Sequence, residues 1–249
     1  MFRIIITSIL VAAASAVVAQ TKFIYEGKIE FERKINVHRQ WEPDDNDAEF
    51  FKEFMSKQPK TNTAYFDLLF REGQTIYKPG KDGDGKGEMI GWLLGPAKEN
   101  SVLTQLAQQR ITSRKKVFED NFLIEDSIRQ YEWHITNELR TIAGFECRKA
   151  VTRICDSVYV VAFYTEEIPV SGGPESFSGL PGMILGLAVP RLFTTWFATK
   201  VELVEPKATD FVLNGKGKKI TPKELEATLQ KSMADWKKNG PRNIWWTML

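Results

Sequence analysis

Cysteine and histidine are nearly missing from this chain, with two of each in 249 residues. A histidine-dependent catalytic set therefore has to use His38 or His134, and His134 falls inside an expected strand, Tyr131 to Thr136, beside Trp133. The sequence holds no Gly-x-Ser-x-Gly elbow, His-Glu-x-x-His helix or Gly-x-x-x-x-Gly-Lys-Ser/Thr loop, which removes the commonest hydrolase, metalloprotease and nucleotide-binding signatures. Charge of one sign is missing too: the net formal charge is +2, so neither nucleic acid nor an anionic membrane is implied as a partner. If Cys147 opens a strand that Cys155 follows, their Cα atoms lie about 20 Å apart at ~3.3 Å per residue. A disulfide needs less than about 7 Å, so two unbridged thiols are expected. No ligand pair has close metal spacing, so neither a metal nor a cofactor is expected.

Long apolar runs are absent after the first residues. Met1-Phe2-Arg3 carries one positive charge, and Ile4 to Ala19 holds nothing more polar than Thr7, Ser8 and Ser15. Such an opening reads as the n- and h-regions of a signal peptide, and roughly sixteen apolar residues fall short of the about 20 that span a bilayer. Val17-Val18-Ala19 before Gln20 gives small or short residues at the cleavage positions, so cleavage between Ala19 and Gln20 is expected, with residues 1–19 as the leader. The exported remainder has 33 basic against 32 acidic side chains, no transmembrane anchor and a periplasmic, outer-membrane-associated or secreted destination.

Periodicity then predicts a mainly β (α+β) protein: a large curved antiparallel sheet over residues 20–213, with a short N-terminal helix and a longer C-terminal helix packed on it. Ile29 and Phe31 alternate with Lys28, Glu30 and Glu32 as a half-buried strand. Phe50, Phe51, Phe54 and Met55 recur at helical spacing within Asp44 to Met55. Ala64 to Phe70 and Gln74 to Lys78 flank Arg71-Glu72-Gly73 as a hairpin. Ser101 to Gln109 reads as a helical turn or two. Strands are expected at Ile111 to Glu119, Asn121 to Asp126, Tyr131 to Thr136, Phe145 to Arg153, Val158 to Thr165 and within Pro190 to Glu205, with the nearly continuous apolar Val158 to Phe163 at the sheet centre. Asn214 to Lys219 reads as a linker to a final unit, residues 220–249. There Thr221-Pro222-Lys223-Glu224 joins a capping box to a proline at the first helical position. Leu225, Leu229, Met233 and Trp236 form one stripe, and Asn239-Gly240-Pro241 is expected to end the helix. The apolar tail Ile244 to Leu249 either folds back as a last strand or forms a partner patch.

The most informative stretch is Ile168-Pro169-Val170-Ser171-Gly172-Gly173-Pro174, followed by Phe177-Ser178-Gly179-Leu180-Pro181-Gly182-Met183-Ile184. Prolines fix φ and glycines permit positive φ, so this is a folded-back ordered loop whose apolar side chains need a pocket. Gly179-Leu180-Pro181-Gly182-Met183-Ile184 resembles the name motif of the GLPGLI family of exported bacterial envelope proteins from Bacteroidetes, with Met183 in place of Leu. The resemblance extends upstream through Trp133, Ile142, Gly144, Phe145, Cys147, Lys149, Ala150 and Tyr164-Thr165 to Ile168-Pro169 and Gly173-Pro174. Two positions depart from it: Asp156-Ser157 stands where Gly-Arg is usual, and Phe163 where Trp is usual. The family has no established activity. The resemblance implies an envelope protein with a loose link to outer-membrane transport receptors, and it marks Ile168, Pro169, Gly173, Pro174 and Gly179 to Ile184 as the family-motif loop, whose Gly179 to Leu185 part is expected at the rim of a binding surface.

Three functions stay open on the residues alone. A non-enzymatic binding or accessory protein, taking an apolar ligand or an outer-membrane receptor, fits the missing catalytic constellations. A cysteine-dependent enzyme or a metal- or redox-handling protein would use Cys147, whose same-face neighbour is Lys149, about 7 Å away along a strand. A structural envelope component would use the terminal aromatics. Asp82-Gly83-Asp84-Gly85-Lys86-Gly87-Glu88 imitates a calcium loop but places Lys86 and Leu93 at ligand positions, so it reads as a solvated glycine loop.

Overall fold

The computed structural model describes residues 23–40, 48–83, 94, 99–155, 157–213, 215–237 and 239–249. The expected leader, the start of the Asp44 segment, most of the calcium-like loop and Asp156 lie outside the described residues.

The chain is mostly β. Its strands are β1 Gly27–Asn36, β2 Thr61–Arg71, β3 Gln74–Pro79, β4 Ser101–Gln105, β5 Arg110–Val117 and β6 Asp120–Ser127. They continue with β7 His134–Ile142, β8 Phe145–Ile154, β9 Val158–Thr165, β10 Met183–Val189, β11 Thr194–Glu202 and β12 Lys218–Ile220. All twelve join one open sheet in the order β12-β6-β5-β4-β3-β2-β1-β11-β10-β9-β8-β7. Every pair is antiparallel except β12, which runs parallel to β6 and makes the sheet mixed. The helices are α1 Ala48–Ser56, α2 Pro222–Ser232 and α3 Asn239–Thr247. Among the described residues no helix is long and apolar enough to cross a membrane.

Alternation along β1 sets the inner face: Ile29, Phe31, Arg33 and Ile35 are buried, while Lys28, Glu30, Glu32 and Lys34 point away. Carried across the ladders, that phase puts Phe66 and Leu68 of β2, Tyr77 of β3, Val102 of β4, Trp196 of β11, Leu187 of β10 and Ala162 of β9 on the same side. The stripe of α2 covers the β5–β6 end of this face, where Leu225, Leu229 and Met233 bury against Val117, Phe122 and Ile124. Thr221 caps that helix by accepting from the Glu224 amide at 3.2 Å, and the Glu224 carboxylate returns to the Thr221 amide at 2.9 Å.

Several expectations need correction. Ser101–Gln105 is a strand, not a helical turn, because Val102 and Thr104 alternate inward between β3 and β5. The strand expected at Tyr131 to Thr136 starts only at His134, since Tyr131 and Trp133 turn inward to pack on the motif loop. β9 lies third from the β7 edge and leaves Tyr159 58% exposed, so its apolar run is not the two-sided sheet centre. Asn239-Gly240-Pro241 does not end a helix; it opens α3, where first-turn amides have no intrahelical acceptor and proline costs little. The tail does fold back, but as that helix and not as a strand. Trp246, Thr247 and Leu249 are buried.

Candidate functional site

The loop between β9 and β10 returns onto the inner face. Ile168, Val170, Phe177 and Leu180 are buried there, while Pro169, Gly179 and Pro181 face outward. Backbone bonds from Met183 to Ile168 (3.0 Å) and from Ile184 to Gly172 (2.8 Å) clamp the loop to the start of β10. The Gly179 amide donates to Ser171 Oγ at 2.8 Å. The glycines answer to close packing: a Cβ on Gly173 would stand 2.7 Å from Ile184 Cβ, and one on Gly182 would overlap the Thr165 carbonyl. Gly179 adopts φ +90°. The apolar motif residues Ile168, Leu180, Met183 and Ile184 thus find their pocket inside the fold.

This loop also props up the β6–β7 connector. Tyr131 stacks on Phe177 with ring centroids 5.1 Å apart, and the Trp133 indole donates to the Ser178 carbonyl at 2.9 Å. In front of the connector lies an open cleft of about 830 Å³, bounded on its other sides by the β8–β9 turn, α2 and α3. Arg129, Glu132 and Arg153 line it with Glu226 and Gln230 of α2, and Ile154, Ile244, Trp245 and Met248 supply apolar surface. The lining is therefore amphipathic: two guanidiniums, two carboxylates and an indole around apolar side chains. Its volume falls in the range of small-molecule sites.

Beneath α3 the inner face turns polar. Arg33 is 2% exposed, and its Nε and Nη1 have no hydrogen-bond partner among the described residues. Its guanidinium lies over the Phe66 ring at 4.6 Å and the Trp246 ring at 5.4 Å. Trp246 meets Trp196 edge-on at 5.7 Å, and Tyr77 stacks on Phe66 at 4.8 Å. The Tyr77 hydroxyl approaches Trp196 and Glu175 without a hydrogen bond of normal geometry. Buried Glu175 accepts from Asn100 Nδ2 at 2.8 Å through one oxygen and leaves the other unpartnered among the described residues. Burial pushes the Tyr77 hydroxyl well up and the Arg33 guanidinium down from their ordinary values. Lys115 sits at the floor of a cavity of about 50 Å³ with Ser113, Ser176 and Thr247, and donates to the Thr247 carbonyl at 2.8 Å.

Cys147 is elsewhere. By alternation it shares the face of Lys149, which pairs across from Phe163 and so points away from the inner polar groups. Its thiol is fully buried, reaches the Phe145 carbonyl at 3.6 Å, and is pushed by burial up to about 12. His134 pairs across from Val151 and Cys147 from Arg140, which separates them along the ladder. His38 contacts the Gln58 carbonyl at 2.9 Å. Cys155 is exposed at the cleft wall, and neither cysteine is in a disulfide. Titration of the native protein with a disulfide reagent at pH 8 should therefore modify Cys155 alone, with Cys147 reacting only after denaturation; a fast-reacting native Cys147 would contradict this placement. Among the described residues no group of three or more His, Cys, Asp or Glu could hold a metal ion.

The motif loop was legible in the sequence, but Arg33, Lys115, Glu175 and the cleft were not. A usable signal existed: Arg33 falls in phase with Ile29, Phe31 and Ile35, and Lys115 in phase with Ile111 and Val117.

Among solved structures, that of PNGF-II in the C2 space group is similar, with a TM-score of 0.51 and 14% identity over 85% of this chain. This chain covers 33% of that one, and at such identity the likeness is one of fold. PNGF-II in the P21 space group gives a TM-score of 0.49 and 14% identity over 86% of this chain and 33% of that one. An uncharacterized conserved protein from Thermus thermophilus gives 0.38 and 6% identity over 78% and 90%. No curated protein matches the chain. A family model described as "Protein of unknown function (Porph_ging)" matches residues 152–186, the stretch from the end of β8 through β9 and the motif loop into β10, and to that family this chain is similar.

Proposed function

We propose that this chain is an exported, non-enzymatic binding module of the bacterial cell envelope that takes an amphipathic ligand in the cleft beside α2 and α3. The observation that carries the reading is the 830 Å³ cleft itself, with Ile244, Trp245 and Met248 beside Arg129 and Arg153. Apolar area and a few placed charges are what a small-molecule site requires: the first supplies affinity, the second orientation. In this reading residues 20–213 and 220–249 form one frame, a curved and mainly antiparallel sheet with α1 and α2 packed on it. The motif loop, from Ile168-Pro169 through Gly173-Pro174 to Gly179-Leu180-Pro181-Gly182-Met183-Ile184, acts behind the binding surface by holding Tyr131. The leader ending at Ala19 supports export, and the cleft is also where a receptor segment of an outer-membrane transporter would dock. Cys147, buried and protonated, plays no part.

An anilinonaphthalene sulfonate, which pairs fused rings with one anion, probes both halves of the cleft. Titration of residues 20–249 should give saturable fluorescence enhancement, weakened about tenfold by Arg129→Ala with Arg153→Ala, as expected for loss of one to two charge-assisted contacts. Native mass spectrometry of protein taken from its own envelope should show a co-purifying mass that leaves on mild activation. No saturable binding and no co-purifying mass would sink the reading.

A further inference from the structure

On the side of β5 and β6 away from α2, the sheet gathers positive charge. Arg114 and Lys116 alternate with inward-facing Ser113, Lys115 and Val117, so they point outward from β5. Lys219 pairs with Leu123 of β6 and shares its outward face, and Lys216 lies in the turn before it, while Lys218 between them pairs with Phe122 and points to the α2 side. The two basic runs, distant in sequence, converge in space: the Arg114 guanidinium packs directly against Gly215, which holds φ +108°. None of the four cations Arg114, Lys116, Lys216 and Lys219 has an ion-pair partner among the described residues. Glu119 and Asp120 at the β5–β6 turn offset part of the charge. That turn also presents Phe118, 47% exposed at φ +54°, with half-buried Leu123 within the basic field. The covered side of the Phe118 ring rests on Trp236, with centroids 5.8 Å apart.

We propose that this face is a docking surface for an anionic lipid bilayer. Guarding the edge strand against pairing with another chain explains lysines on β12, but not Arg114 and Lys116 two strands further in. A soluble polyanion would satisfy the cations and leave the exposed side of Phe118 in water. A bilayer satisfies both: phosphates meet the cations while Phe118 and Leu123 enter the headgroup boundary. The surface lies across the sheet from α2, so docking leaves the proposed cleft open to solvent.

The test is co-sedimentation of the chain without its apolar residues 1–19, which would enter a bilayer themselves, using phosphatidylcholine vesicles with and without about one third phosphatidylglycerol. The protein should pellet with the anionic vesicles only and be released by about 0.5 M salt, where screening shortens to a few ångströms. Each cation at the surface multiplies affinity about fivefold, so Lys216→Glu with Lys219→Glu should cost at least about tenfold. Phe118→Ser should cost several-fold. Equal pelleting on neutral and anionic vesicles, salt-insensitive binding, or an unaffected double variant would overturn the proposal. So would binding to soluble polyphosphate as tight as to vesicles with Phe118→Ser unchanged. Wild-type salt and lipid dependence decide the matter even if a variant fails to fold.

Discussion

Gly182→Ala is expected to abolish the native fold under ordinary conditions, with a loss of at least about 4 kcal/mol, at the upper end of what single substitutions do. The added Cβ would stand 2.8 Å from the carbonyl carbon of Thr165 and 3.1 Å from the Cα of Glu166, and would overlap the Thr165 carbonyl oxygen. These are backbone atoms of the end of β9, so relief requires moving a strand and not rotating a side chain. Displacement there breaks the Met183 bond to Ile168 and the Ile184 bond to Gly172, and with them the seat of Leu180 and Phe177 in the core. Gly144 is the control: its φ is +89°, but nothing lies within 4 Å of an added Cβ. Gly144→Ala should lose only the left-handed penalty of about 1–2 kcal/mol. Urea unfolding midpoints separate the two, and equal losses would remove the tight crossing from the account.

Lys115 should make stability rise with pH where most proteins are losing theirs. Burial lowers its ammonium from 10.5 to about 8. Between those values the unfolded chain holds the proton and the folded chain does not, so raising pH favours folding. The contribution is fully present above 10.5 and lost as pH falls through about 8; across that window it amounts to about 3 kcal/mol. Glu175 opposes the shift and Arg129 adds to it, so the deprotonated lysine is favoured chiefly by loss of water. Cys147 acts in the other direction above pH 9 and Tyr77 above pH 10, because both are held protonated in the folded chain. The clean reading is therefore a difference. Wild type should gain about 3 kcal/mol on Lys115→Met between pH 8 and 10.5 in urea titrations, and parallel curves would mean that the ammonium is solvated.

What could be read from the sequence was what local chemistry decides. The α2 start was legible because Thr221, Pro222 and Glu224 act on one another within one turn. The β2–β3 hairpin was legible because Gly73 at φ +72° marks the turn in place. The misreadings share a different cause. Gly240-Pro241 looks the same at the end of a helix as in its first turn, and only the pocket awaiting Trp246 decides between them. Ser101–Gln105 is a strand because β3 and β5 offer it edges, which five residues cannot announce. Tyr131 and Trp133 leave the expected strand because Phe177 and Ser178, some 45 residues later, compete for them. The site suffered most. Arg33, Lys115 and Glu175 count as surface residues in any composition-based reading, and the cleft draws its walls from the connector, the β8–β9 turn and two helices that no motif links.

The position of β1 has a consequence for the order in which the molecule can be made. β1 lies inside the sheet between β2 and β11, so one edge of it stays unpaired until Thr194–Glu202 has been synthesised. The interior opposite Arg33 waits longer still, for Trp246, while Arg242 reaches back to the carbonyls of Arg39 and Gln40 over more than 200 residues. A core closed by its last segment cannot condense on the ribosome ahead of that segment, and contacts of such long range slow folding. Until then the nascent chain stays short of its closed core, the state that the proposed export would require.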